Sequence, residues 1–115
     1  MTNEYWQEEI ETMSRPELEK LQTERLKATI KQAQNAPFYK KLFKEKGLTE
    51  ETITNLEDLK KFPFTTKEDL RSHYPFGFAA VPHNEIVRLH SSSGTTGNPT
   101  VVLHTQKDLD TWSVL

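Results

Sequence analysis

Of the 32 charged residues in this 115-residue chain, 27 precede Pro75, and residues 75–106 carry only Glu85 and Arg88. Helices with one wet face suit the charged part, whereas the depleted part suits strands and uncharged loops. The chain therefore changes character near Pro75, which predicts a helical subdomain over residues 1–74 and an α/β segment over 75–115. A length of 115 residues is the size of one modest domain, able to bury about two-thirds of its unfolded surface at best.

Punctuation in the first part is explicit. Ser14 stands three residues before Glu17 with Pro16 between them, the pattern of a capping box with proline in the first turn. It predicts a helix from about Arg15 to Gln34, with Leu26, Ile30 and Ala33 on one face. Leu18 and Leu21 are offset from that face and Gln22 and Arg25 intrude on it, so partial burial is expected. After Pro37, the residues Phe38, Tyr39, Leu42 and Phe43 form i,i+4 pairs on a short helix that Gly47 can end in a left-handed cap. Asn55 and Thr66 read as further N-caps, each with acidic residues in the following turn.

Beyond Pro75 the period shortens. Val87 and Leu89 alternate with Arg88 and His90, and Val101-Val102-Leu103 is apolar and β-branched, so two antiparallel strands are expected. Thr105, with Asp108 three residues on, then starts a helix carrying Leu109 and Trp112 to the end of the chain. The fold class expected is α/β, locally α+β: helices, then a β-hairpin, then a last helix.

Composition narrows the partners. With 15 Lys and Arg against 17 Asp and Glu, there is no basic excess for nucleic acid or for an anionic membrane surface. No cysteine is present, so neither a disulfide framework nor a thiolate nucleophile is available. No apolar run reaches the length of a membrane span, and MTNEYWQEEIE lacks the basic and apolar regions of an export signal. The cytoplasm is the expected location.

Residues 91–100, SSSGTTGNPT, join the two expected strands. Gly94 and Gly97 tolerate the positive φ that curls backbone amides into a nest, and six hydroxyls crowd the same ten residues. A phosphate is the fitting guest. Two residues rather than four separate the glycines, Asn98 follows, and a strand comes next, so this is neither a Walker loop nor a dinucleotide fingerprint.

The loop resembles the phosphate signature of adenylate-forming enzymes, Ser/Thr-Ser-Gly-Thr-Thr-Gly-x-Pro-Thr, in the form carried by phenylacetate–coenzyme A ligases. The blocks EIETMSRPELEKLQTERL, NAPFYKKLF, LEDLKKFPFTTKEDLRSHYPFGFAAVP and VRLHSSSGTTGNPTVVLHTQKDLDTW resemble consecutive parts of that family's N-terminal region. Members run to roughly three or four times this length, the size of a large domain with a smaller one. The resemblance thus implies an N-terminal piece of an adenylate-forming fold, with residues 75–115 opening its nucleotide-binding domain.

It implies, for the whole enzyme, ATP and Mg²⁺ in the activation of an aryl carboxylic acid to an acyl-adenylate, release of pyrophosphate, and transfer of the acyl group to coenzyme A. Ser91, Ser92, Ser93, Gly94, Thr95, Thr96, Gly97 and Thr100 are the implied nucleotide contacts. No catalytic residue is assigned, and no protein-held metal. Asn98 stands where these ligases commonly place lysine, and Thr100 where many other adenylate-forming enzymes do, so the loop holds no cation. Neutral donors forfeit the charge assistance that roughly doubles a hydrogen bond to phosphate. Tight cofactor binding and turnover are therefore not expected of these residues alone.

Other features have plainer readings. His90 and His104 flank the loop on facing strands, but no third ligand has usable spacing for a metal. Phe38, Tyr39 and Phe43 read as core, and Phe62-Pro63-Phe64 and Tyr74-Pro75-Phe76-Gly77-Phe78 as segments pinned to the body. Lys40, Lys41, Lys44 and Lys46 form a solvated basic face. A different class of function also fits the composition: a non-catalytic helical module that associates with itself as a homo-oligomer through exposed apolar surface.

Overall fold

A computed structural model describes residues 4–92 and 97–115. Five α-helices and one β-hairpin are placed there: α1 (Glu8–Glu11), α2 (Arg15–Ala33), α3 (Pro37–Lys46), α4 (Lys67–Ser72), β1 (Ile86–Ser91), β2 (Val101–Thr105) and α5 (Gln106–Ser113). Short 3₁₀ turns occupy Glu50–Thr52, Leu56–Lys61 and His83–Glu85. The mixed class expected from the sequence is borne out.

The caps fall where the residues put them. Ser14 Oγ accepts from the Glu17 amide at 3.4 Å while Glu17 Oε2 accepts from the Ser14 amide at 3.2 Å, closing the box that starts α2. Gly47, at φ 64°, ends α3 in the left-handed region and lets the Leu48 amide reach back to the Phe43 carbonyl at 2.9 Å. That geometry removes two orphan carbonyl problems at one residue that carries no Cβ.

Ile30 of α2, Phe43 of α3 and Ile53 form the centre of the core, with Leu26, Ala33, Tyr39, Leu42, Leu48 and Phe62 packed around them. Ile30 is the one buried residue of α2, in keeping with the ragged stripe. A second aromatic layer lies beside it: the Phe78 ring stacks on Phe38 at 4.4 Å and meets Tyr39 edge-on at 5.4 Å. The Phe38 amide donates to the Gly77 carbonyl at 2.9 Å, which fastens the segment after α4 onto α3. Glycine is required at 77 because a Cβ there would overlap the His73 side chain and carbonyl.

Two expectations need correcting and two others gain detail. Phe62 joins the core edge-on to Phe43 at 5.4 Å, but Phe64 is 98% exposed and pins nothing. Proline at 63 holds Phe62 extended, so the next side chains leave the surface rather than follow it. Asn55 is the N-cap expected, at the head of a 3₁₀ turn, whereas α5 ends at Ser113 with Val114 as its C-cap instead of running to the end of the chain. Arg88 to Ser91 pair with His104 to Val101 in register, but Ile86 pairs with Thr105, leaving Val87 as an extra residue in a bulge.

Asp58 shows how a charge enters this small core. One carboxylate oxygen accepts from the Thr54 hydroxyl at 2.6 Å, the Thr54 amide at 2.8 Å and the Asn55 amide at 3.2 Å, and the other pairs with Lys61 Nζ at 2.9 Å. The Thr54 hydroxyl first, then Lys61 and the two amides, hold the carboxyl far below the usual carboxylate range. A depressed folded-state value stabilises the fold fully above the unfolded carboxyl's pKa, about 4, and loses that contribution as pH falls toward the folded-state value. Asp58→Asn is expected to lower the melting temperature by several degrees at pH 7, and the gap to the parent chain should close below about pH 4. Thermal unfolding followed across that range by circular dichroism checks it; a gap independent of pH removes the charge from the account.

Candidate functional site

The loop expected to hold phosphate is mounted on the open end of the hairpin. Ser91 and Val101 make the last strand pair, and the ladder runs one step further because the Ser92 amide donates to the Thr100 carbonyl at 3.0 Å. Side chains close the neck as well. The Thr100 amide donates to Ser92 Oγ at 3.1 Å, and Thr100 Oγ1 donates to the same oxygen at 2.8 Å. Ser92 Oγ is thereby tied to Thr100 through both the amide and the hydroxyl, and of the two hydroxyl protons one is used in the mutual bond and one remains.

The clasp joins two hydroxyls that are eight residues apart in the sequence, and together they keep one proton for an outside acceptor. Ser91 belongs to the opposite face of the ladder, by the two-residue period of a strand, and shares it with Leu89 and Val101. Gly97 has φ 82°, and nothing lies within 4 Å of the position a Cβ would take. Backbone conformation, not crowding, is what calls for glycine there. Ser93, Gly94, Thr95 and Thr96 lie outside the described residues.

Below the clasp, on the same face, sit His90 and, diagonally across, His104, with ring centroids 4.8 Å apart. Trp112 of α5 closes over both, at 5.9 Å from His90 and 6.0 Å from His104. Thr105 makes this possible: its hydroxyl accepts from the Asp108 amide at 3.3 Å and its amide donates to Asp108 Oδ2 at 2.8 Å, starting α5 directly after β2. The hairpin, the helix and the loop neck are thus one structural piece. Sequence reasoning named both histidines but not their third partner; the spacing from the Thr105 cap to Trp112, two helical turns on, is the signal that pointed to it.

Chemically, the neck offers a hydroxyl donor and a glycine-permitted turn, and no cation: Asn98 and Thr100 are neutral. Among the described residues no group of three or more His, Cys, Asp or Glu side chains is placed to hold a metal ion. A magnesium ion would suit this loop only as part of a nucleotide's own phosphate complex, since magnesium takes oxygen ligands and keeps several waters. Among the described residues no helix is long and apolar enough to cross a membrane.

No protein-family model matches the chain. Curated relatives do. The chain is 52% identical over 109 residues, 94% of its length, to a phenylacetate-coenzyme A ligase of Aromatoleum evansii, and 53% identical over 105 residues to one of Escherichia coli strain K12. It spans about a quarter of the length of these relatives, 25% and 24% respectively. Among solved structures it matches a 2-hydroxyisobutyryl-CoA ligase in complex with 2-HIB-AMP and CoA, with TM-score 0.74 and 36% identity over 84% of this chain and 22% of that one. An open conformation of the same ligase matches with TM-score 0.71 and 34% identity. The resemblance read from the loop and its flanks is borne out by the names of these relatives, and the helices and hairpin are similar to a part of the 2-hydroxyisobutyryl-CoA ligase structure.

Proposed function

We propose that this chain is the N-terminal part of an ATP-dependent, AMP-forming ligase that joins an aryl-acetic acid to coenzyme A, and that its loop at residues 91–100 handles the nucleotide's phosphates. The Ser92–Thr100 clasp carries the reading: it fixes both ends of a glycine-bearing loop at one point while leaving a hydroxyl proton to give. Attack of a carboxylate on the α-phosphorus of ATP throws charge onto the departing pyrophosphate, and donors fixed in advance stabilise that charge without reorganising. Ser92 and the amides near Gly97 take that task in this proposal, with Ser91, Ser93, Gly94, Thr95 and Thr96 as further contacts and Thr100 holding the geometry. Magnesium would share the phosphate charge when the nucleotide is bound.

Residues 1–74 act as a helical unit in this reading, and residues 75–115 begin the nucleotide-binding domain. The relatives' names support an aryl-acetic acid and coenzyme A as reactants. A small-molecule acid is then the partner, in the cytoplasm, with no part for nucleic acid or membrane.

Affinity follows from the same inventory. A few hydrogen bonds to phosphate at about 1.5–3 kcal/mol each must offset an association cost of about 4–15 kcal/mol. The 115-residue chain is expected to bind ATP with a Kd weaker than about 1 mM and to turn nothing over. Calorimetry giving a micromolar Kd overturns that estimate. The function itself is tested by grafting the chain in place of the matching quarter of the Escherichia coli relative. Pyrophosphate release that requires both phenylacetate and ATP is the expected result, and a folded but inactive chimera is the result that rejects it.

A further inference from the structure

We infer that His90 and His104 together hold a divalent transition metal ion, of the zinc or copper class, in a two-imidazole site beneath Trp112. This site is separate from the hydroxyls of the loop neck and does not depend on the ligase reading. Three or four protein ligands are usual for zinc, and spacing along the chain offers none beyond this pair. Two imidazoles held by strand register, with water in the remaining positions, make a weaker and exchangeable site.

The two rings come from different strands yet share one face. Arg88 pairs with His104 and His90 with Val102, so the histidines are diagonal neighbours on the side of the ladder that also carries Ser92 and Thr100. Their ring centres are 4.8 Å apart and their planes are inclined at 65°. An ion about 2.0–2.1 Å from an imidazole nitrogen lies about 3.2 Å from that ring's centre. Two rings at the observed separation then subtend an angle of about 100° at the ion. That value falls between the roughly 90° of adjacent square-planar positions and the roughly 109° of a tetrahedron, the geometries of copper(II) and zinc. The outer torsion of histidine is broad, so each ring can aim a nitrogen at the shared point at little cost.

The nitrogens are available to an ion. Among the described residues, His73 Nδ1 meets the Asp69 carbonyl at 3.0 Å and the His83 ring stacks on Phe76 at 4.2 Å, whereas His90 and His104 contact each other and Trp112 without a hydrogen bond to either ring. A neutral imidazole keeps one unprotonated nitrogen, which is its metal-binding form. Both rings are half-buried. Trp112 lies over them, inclined at 29° to His104 and 72° to His90, and so excludes water from one side while the other stays open. Two charges flank the pair: Arg88, exposed on the same face, and Asp108, one helical turn before Trp112, whose carboxylate accepts from the Thr105 amide at 2.8 Å. Their signs oppose, so the pair is not set in a net cationic field. Imidazole favours zinc, copper and nickel, whereas magnesium takes oxygen, which separates this ion from one that arrives with a nucleotide. An ion bound here ties β1 to β2 just below the neck and stabilises the platform of the loop.

Copper(II) is the probe, because it quenches a neighbouring indole and its nitrogen ligands split its electron paramagnetic resonance. In a Trp6→Phe chain the emission comes from Trp112 alone. Titration with copper(II) chloride should quench it saturably at one ion per chain, with splitting from two nitrogens. His90→Phe and His104→Phe keep a ring against Trp112 and remove the donor nitrogens. Each should weaken the quench at least about tenfold, since even the supporting partners of metal ligands act on that scale, while retaining the circular dichroism of the parent chain. His73→Ala should leave the titration unchanged. Quenching that never saturates overturns the site, as does quenching that survives in both phenylalanine variants or that is lost with His73→Ala. A resonance spectrum showing one nitrogen ligand overturns the pairing of the two histidines.

Discussion

Replacing Gly97 by valine in the grafted full-length ligase should lower the rate of phenylacetate-dependent pyrophosphate release by about 100-fold or more. The backbone there has φ 82°, a region that costs an ordinary L-residue about 1–2 kcal/mol and a β-branched one more. That penalty is relieved by swinging the peptide out of the left-handed region, which moves the amides on either side of it. Loss of one preorganised donor to a developing anion typically costs about 10²–10³ in rate. No neighbour lies within 4 Å of the added Cβ, so a steric clash is not the cause, and Gly97→Asn provides the control. Asparagine visits the left-handed region readily, so this variant should recover most of the rate. Equal loss in both variants would mean that the side chain, not the backbone, is what the site rejects. Unchanged rates in both would take Gly97 out of the mechanism.

Local chemistry was legible in the sequence because local residues decide it. Ser14 with Glu17, Thr66 with Asp69 and Thr105 with Asp108 each form the reciprocal box that their spacing implies, and Gly47 adopts the positive φ that a C-cap needs. The two strands were visible from alternation, but the bulge at Val87 was not, since an extra residue leaves the apolar count intact and alters only which residue opposes which. Phe64 misled for a related reason. A hydrophobic side chain states that burial is favourable, not that the backbone will turn it inward, and the extended residue before Pro63 decided the direction. At the site, the sequence supplied the inventory of hydroxyls and glycines and could not rank them. Ser92 and Thr100 meet hydroxyl to hydroxyl at 2.8 Å across eight residues, a contact that no local spacing announces.

Ile53→Ala should be the most damaging single change to the fold. Ile53 has no solvent exposure and is the one large side chain among the described residues that is completely enclosed. It sits with Ile30 and Phe43 at the point where α2, α3 and the 3₁₀ turns converge. Isoleucine to alanine at such a site costs about 2–5 kcal/mol, the lost transfer energy plus the cavity left behind. A domain of this size has a total stability of about 5–15 kcal/mol, so the loss is a large share of it. The melting temperature should fall by about 10–30 °C. Ile53→Val removes one methyl group and should cost about 0.5–1.5 kcal/mol, which makes the pair a graded series at one position. Both tryptophans lie away from this core: Trp112 covers the histidines, and Trp6 Nε1 donates to the Val114 carbonyl at 2.8 Å. Circular dichroism therefore reports the helical unit while tryptophan emission reports the hairpin end. At temperatures below the transition, Ile53→Ala should leave the emission of the parent chain unchanged. An emission shift there would mean that the helical core and the hairpin share one packing unit, coupling the platform of the phosphate loop to a residue far outside it.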